Sequence, residues 1–122
     1  MIYASTSTAL AVLEALVHTE ADTAPDDLVA MEIEVVELSV DEPPADSLPA
    51  GWEEEIAGAA SQSFGGEWVA EGRCALLVLP SALLPTASSE RNALLNPAHP
   101  EAARARIVGV TPFRFDRRLV EG

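Results

Sequence analysis

A run of four apolar residues that ends abruptly at a proline constrains this chain more than any other stretch. Residues 76–79 (LLVL) have the length of a strand, and Pro80 and Ser81 follow at once. Because proline has no N–H to give to a central ladder, the run predicts a buried strand that ends at Ser81. Ser81 is then either part of a binding site at the strand end or an ordinary loop-capping serine.

Short strands outnumber long helices along the rest of the chain. Apolar runs and period-two alternation predict strands at 2–4, 29–35, 73–79, 91–95, 107–108 and 113–115. Helices are predicted at 8–18, 57–64 and 101–106, with Gly65-Gly66 interrupting the second before a short turn at 68–71. Because these elements do not alternate regularly, the predicted class is α+β, with mixed or antiparallel sheets and short helices in one domain.

The first predicted helix carries two ionisable residues beside its apolar stripe. Leu10, Leu13 and Val17 lie on one side of this helix. Glu14 projects about 40° beyond Leu10, at the edge of the apolar arc, and His18 follows one turn later. A carboxylate and an imidazole therefore line up beside a buried face. They are either site residues or a solvated glutamate with a histidine at the helix C-terminus.

The distribution of charge is strongly uneven. The formal net charge is −13, and residues 1–72 contain sixteen acidic residues and no Lys or Arg. Such a chain is a poor nucleic-acid binder, because neutralising phosphates supplies most non-specific affinity. The acidity suits a basic protein partner, or it serves solubility alone.

Several kinds of site and compartment find no support in the sequence. His18, His99 and Cys74 are too few and too isolated to predict a metal site. Phosphate-loop and nucleophile-elbow motifs are absent. No apolar run approaches the ~18 residues of a membrane span, and no basic cluster precedes an apolar segment as in a signal peptide. With a single cysteine, the expected compartment is the cytoplasm.

A small set of polar residues on otherwise apolar elements is left as the candidate site. These residues are Tyr3, Glu14, His18, Ser81, Asn92 and Asn96. One carboxylate with hydroxyl and amide donors suits a site that stabilises positive charge developing on a sugar, as in glycosidic cleavage. The composition of the set permits this chemistry without specifying it.

Four segments of the chain resemble the RES domain family. They are IYASTSTALAVLEALVH near the N-terminus, LVLPSALLP with NALLNPAHP in the second half, and PFRFDRRL near the C-terminus. The resemblance covers residues 1–118 and implies a fold similar to that of ADP-ribosyltransferases. It also implies the toxin of a bacterial toxin–antitoxin pair, whose partner is an Xre-type helix-turn-helix antitoxin, with a possible homodimer.

The resemblance also implies a substrate and a set of site residues. Members of the family break the nicotinamide–ribose bond of NAD⁺ by hydrolysis or phosphorolysis, or transfer ADP-ribose to a protein. The glutamate of the family matches Glu14 and the serine matches Ser81, both as catalytic residues. Tyr3 and His18 match NAD⁺-pocket residues, whereas Asn92 and Asn96 receive no role.

The absence of one family residue, an arginine, leaves two functional hypotheses open. The family's arginine, expected to hold the NAD⁺ diphosphate, belongs upstream of Tyr3, and no basic residue precedes Arg73. The resemblance thus predicts a RES-like domain over 1–122 that is incomplete at its N-terminus. The helix N-terminus at 6–8 is a partial substitute for the arginine. The alternative is an inactive, truncated RES-like protein that only binds an Xre-type antitoxin.

Overall fold

The computed structural model describes residues 2–19, 25–48, 52, 59–85 and 87–120. Its mixture of helices and sheets confirms the α+β prediction. The elements are β1 (Ile2–Ser5), α1 (Thr8–Val17), β2 (Leu28–Glu34), β3 (Val40–Asp41), α2 (Ala59–Glu71), β4 (Leu76–Pro80), β5 (Arg91–Leu95), β6 (Arg106–Phe113) and α3 (Arg117–Val120). None of the helices in these ranges is long and apolar enough to cross a membrane.

The main sheet has four strands in the order β1-β5-β4-β3. Strand β5 pairs antiparallel with both β1 and β4, and β3 pairs parallel with β4, so the sheet is mixed. The predicted apolar strand is therefore internal to the sheet. It begins at Leu76, three residues later than predicted, and Pro80 is its last paired residue, opposite Arg91. Proline is tolerated there because the ladder ends with it.

The hydrophobic core lies between this sheet and α2. Leu77 is fully buried, Leu94 lies opposite it on β5, and Trp68 of α2 packs against both. Partly buried side chains surround this cluster, namely those of Phe64, Val69, Cys74 and Leu79. Cys74 thus packs as a small half-buried hydrophobic residue.

Helix α2 runs through the two glycines that were predicted to interrupt it. Each glycine costs about 1 kcal/mol in a helix interior relative to alanine, whereas burying a large apolar side chain gains about 1.5–3 kcal/mol. Trp68, only 4% exposed, and Phe64 pack on the sheet only if the helix is continuous. Tertiary packing therefore overrides the local signal. Gly72, at φ +62°, follows the last helical residue as predicted.

A second sheet consists of β2 and β6 alone. The two predicted closing strands form one strand, β6, and Phe115 lies beyond it as a buried residue. Pro112 is tolerated opposite Val29 because both strands of a two-stranded sheet are edges. The register shifts between Glu32 and Ile33. Several apolar side chains of this sheet are about half exposed, namely Val29, Met31, Ile107, Val108 and Val110.

Ser39 ties the start of β4 to a 3₁₀ helix at Pro100–Arg104, which replaces the predicted helix at 101–106. The N–H of Ser39 donates to Glu101 Oε1 at 2.7 Å. The Ser39 hydroxyl and carbonyl oxygens accept from the N–H groups of Ala75 and Leu76, at 2.9 and 3.0 Å. The hydrogen bond from Ser39 N–H lowers the pKa of Glu101 from its usual value of 4.5.

Truncating Leu77 to alanine should destabilise the fold by about 2–5 kcal/mol, since the side chain is fully buried between Trp68 and Leu94. Urea unfolding followed by tryptophan fluorescence measures this loss. Val108→Ala, on a half-exposed residue of β6, is the control and should change stability by no more than about 0.5 kcal/mol. Equal losses in both variants would contradict this placement of the core.

The stability contributed by Glu101 should depend on pH. Because its pKa is lowered in the folded state, its contribution is complete above the usual value of 4.5 and is lost as pH falls through the folded-state pKa. The melting temperature of Glu101→Gln should therefore lie below that of the wild type at pH 6. The difference should shrink as pH falls below 4.5 and vanish below the folded-state pKa. A gap that persists unchanged at pH 3 would show that the charged form of Glu101 is not what Ser39 stabilises.

Candidate active site

Ser81 and Glu14 are in direct contact at the end of β4. The hydroxyl of Ser81, which is 2% exposed, donates to Glu14 Oε1 at 2.7 Å. The N–H of Leu83 donates to the same hydroxyl oxygen at 3.1 Å. Because that N–H occupies an acceptor position of the oxygen, the serine proton points at the carboxylate. Residues 67 positions apart thus form one hydrogen-bonded pair.

Asn92 holds the same carboxylate oxygen from the neighbouring strand. Its Nδ2 donates to Glu14 Oε1 at 2.7 Å, and its Oδ1 accepts from the Ser5 hydroxyl at 2.8 Å. Ser5 and Asn92 are directly opposite each other in the β1–β5 pair. We call Ser5, Glu14, Ser81 and Asn92 the Glu14 network.

The turn between β1 and α1 places Glu14 over the sheet. The Ser7 hydroxyl caps α1 by accepting from the N–H of Leu10 at 3.1 Å, as serine commonly does at a helix N-terminus. Leu10 is 2% exposed and anchors the helix, and Glu14 follows one turn later on the same side. The turn is attached to β5, because the N–H of Thr6 donates to the Arg91 carbonyl and Thr6 Oγ1 accepts from Arg91 N–H.

Tyr3 and His18 lie outside the Glu14 network. Tyr3 is 76% exposed on β1, two residues from Ser5 and hence on the same face of the strand. His18 is exposed at the C-terminal end of α1, one turn beyond Glu14. Both are near the network along their elements, but the described hydrogen bonds of Glu14 and Ser81 do not involve them.

Asn96 belongs to the framework rather than to the site. It is 2% exposed, its Nδ2 donates to the Val69 carbonyl at 3.4 Å, and its Oδ1 accepts from Ala98 N–H at 3.0 Å. It therefore joins α2 to the turn after β5. Asn92, by contrast, belongs to the site as a member of the candidate polar set, although the family resemblance gave it no role, and Ser5 was not among the predicted site residues.

The N-terminus of α1 already contacts a carboxylate. The Ser7 hydroxyl donates to Glu90 Oε1, immediately before β5. An NAD⁺ diphosphate placed at this helix end would therefore meet a negative charge, which offsets the attraction of the helix dipole. Arg91 is next in sequence, but its guanidinium donates to the Ser88 and Glu90 carbonyls. These contacts disfavour the helix N-terminus as a substitute for the family arginine.

The hydrogen bonds of the Glu14 network hold the Glu14 carboxylate in one orientation. Two donors on Oε1 fix that oxygen, so Oε2 is the oxygen that can face a ligand. A positioned carboxylate stabilises positive charge that develops beside it. In the described ranges, no three His, Cys, Asp or Glu side chains are grouped to hold a metal ion.

Comparisons with known proteins agree over almost the whole chain. The sequence model of the RES domain matches residues 1–117. A protein of Sphingobium sp. named "Prs ADP-ribosylating toxin" is 39% identical over 98% of this chain and 74% of its own length. Two proteins named "Toxin Res" are similarly related. That of Photorhabdus laumondii is 33% identical over 98% of this chain and 76% of its own length. That of Pseudomonas putida is 35% identical over 98% of this chain and 79% of its own length.

A double-mutant cycle should detect the contact between Ser81 and Glu14. Ser81→Ala and Glu14→Gln each remove or weaken the hydrogen bond, so their effects on the free energy of unfolding should be non-additive by about 0.5–3 kcal/mol. Ser81→Ala combined with Glu34→Gln, in the β2–β6 sheet, should be additive within about 0.5 kcal/mol. Additivity in both cycles would contradict the contact.

Proposed function

The chain belongs to the RES domain family, and we propose that it is a bacterial toxin that breaks the nicotinamide–ribose bond of NAD⁺. The proposal rests on two hydrogen bonds that Glu14 Oε1 accepts, one from Ser81 and one from Asn92, each at 2.7 Å. They bring the two residues that match the family's glutamate and serine into one site. The names of the related proteins support a toxin.

The proposed reaction needs little from the protein beyond a positioned negative charge. When the C–N bond breaks, its electron pair goes to the pyridinium nitrogen, and neutral nicotinamide leaves without taking a proton. Positive charge then develops on the ribose as an oxocarbenium ion. Glu14 Oε2 stabilises this charge, because Oε1 is held by Ser81 and Asn92. Water, phosphate or a protein side chain then attacks the ribose carbon.

The remaining site residues are assigned to the cofactor by the resemblance. Ser81 keeps Glu14 in place at the reacting end of NAD⁺. Tyr3 presents most of its ring to solvent on the same strand face as Ser5, where it is available to contact the nucleotide. The resemblance assigns His18, exposed at the end of α1, to the NAD⁺ pocket as well. No metal takes part in the proposed reaction.

The proposed protein partner is an Xre-type helix-turn-helix antitoxin. A net charge of −13 suits association with a basic protein, because opposite charges accelerate and orient the encounter. A homodimer of the toxin is compatible with such a complex.

One observation favours a second candidate, an inactive RES-like protein that only binds the antitoxin. Glu90 contacts the N-terminus of α1, where its charge opposes binding of a diphosphate. Calorimetry tests the first candidate, because the enzyme must bind NAD⁺, and the absence of binding would exclude it. Nicotinamide release by the wild type would exclude the second candidate.

Glu14→Gln should lower the rate of nicotinamide release from NAD⁺ by about 100- to 1,000-fold, since it removes the charge that stabilises the transition state. Released nicotinamide is quantified by chromatography. The control is Glu34→Gln, which removes a surface carboxylate paired with Arg106 and should leave the rate unchanged. Wild-type rates in Glu14→Gln would refute the assignment of Glu14.

A further inference from the structure

We propose that Ser5 is a positioning residue that orients the Asn92 amide and, through it, the carboxylate of Glu14. The positioning of Glu14 by Ser5 is argued from geometry alone, whereas its effect on catalysis rests on the proposed function. Ser5 does not reach the carboxylate itself. Its hydroxyl donates to Asn92 Oδ1 at 2.8 Å, and Asn92 Nδ2 donates to Glu14 Oε1 at 2.7 Å.

The two ends of the Asn92 amide are chemically different, so its orientation matters. Nδ2 is a donor and Oδ1 an acceptor, whereas an ionised glutamate only accepts. If the amide were reversed, Oδ1 would face Glu14 Oε1, and the hydrogen bond would become a repulsion. In the orientation that favours Glu14, the Ser5 hydroxyl donates a hydrogen bond to Oδ1. With both ends bonded, the amide has less freedom to rotate away from Glu14.

The strand register explains why Ser5 can do this. Ser5 and Asn92 are cross-strand partners in the β1–β5 pair, so their side chains lie on the same face at short range. The register is held immediately beyond, where the N–H of Thr6 donates to the Arg91 carbonyl and the N–H of Arg91 donates to the Thr6 hydroxyl oxygen. Ser5 is therefore placed by the sheet and not by a mobile loop. That rigidity is what a supporting residue needs if it is to fix a site group.

The expected kinetic signature of such a residue is a loss in kcat. A carboxylate that samples several orientations still permits NAD⁺ to bind, but it stabilises the developing charge on the ribose less often. Interactions made mainly in the transition state affect kcat and kcat/KM together and leave KM nearly constant. A merely structural role of Ser5 would instead lower the fraction of folded protein.

The first test compares Ser5→Ala with Ser5→Thr and Ser88→Ala in nicotinamide release from NAD⁺. Ser5→Ala should lower kcat about fivefold to tenfold with KM within about twofold, as expected for one lost hydrogen bond. Ser5→Thr keeps the hydroxyl and should restore most of the rate. Ser88→Ala, the control, removes the hydroxyl oxygen that accepts from Glu90 N–H before β5, and it should behave as the wild type.

The second test needs no activity. In ¹⁵N-labelled protein, the side-chain amide signals of Asn92 are assigned from an Asn92→Asp variant. These signals should shift and exchange faster with solvent in Ser5→Ala than in Ser88→Ala, because Oδ1 has lost its donor. Unchanged Asn92 signals in Ser5→Ala would overturn the positioning role.

The outcomes separate this inference from the proposed function. An active wild type, an inactive Glu14→Gln and an unaffected Ser5→Ala would refute the role of Ser5 and leave the proposed function intact. An inactive wild type would refute the proposed function, and the Asn92 signals would then decide whether Ser5 orients the amide. Loss of kcat in Ser5→Ala, together with rescue by Ser5→Thr, supports both.

Discussion

The pairing of β5 with β1 on one side and β4 on the other is the constraint on which the site depends. Asn92 on β5 lies opposite Ser5 on β1 and Leu79 on β4, two residues before Ser81. The partners of the resulting hydrogen bonds are 67, 78 and 87 positions apart in sequence. No local segment could bring them together, so the candidate site exists only when the sheet is formed.

The hydrophobic core and the candidate site lie toward opposite ends of the strands of this sheet. Leu77 and Leu94 pack under Trp68 toward one end of β4 and β5, and Ser81 and Asn92 lie at the other end. The core therefore fixes the strands without filling the site. Ser81 is as buried as the core residues, and the hydrogen bonds to Glu14 and from Leu83 compensate for its burial.

Local patterns predicted the parts of the fold that local interactions determine. The apolar strand that ends beside Ser81 and the α1 stripe through Leu10 follow from short-range chemistry, and the structure contains them. The continuous α2 could not be predicted, because the packing of Trp68 on distant strands outweighs two glycines. Strand β6 was predicted as two strands, at 107–108 and 113–115, because its continuity through Pro112 depends on pairing with β2.

Only part of the Glu14 network could be predicted from the sequence. Glu14 and Ser81 were chosen through the family resemblance, and the structure places them in contact, although their chemical roles remain proposals. Asn92 was in the candidate set only as a polar residue on an apolar strand, and Ser5 was outside that set, because their contact depends on a strand register between residues 87 positions apart. Two polar residues on neighbouring strands can be recognised as partners only when the strand pairing is known.

The most direct test of this account is to map binding of ADP-ribose, a product of NAD⁺ hydrolysis, onto the ¹⁵N spectrum of the chain. We predict that the largest shifts fall on the Leu83 N–H and the Asn92 side-chain amide, because both donate to the Ser81–Glu14 pair. Shifts concentrated in the β2–β6 sheet, or no shifts at saturating ligand, would contradict the claim that the Glu14 network is the nucleotide site.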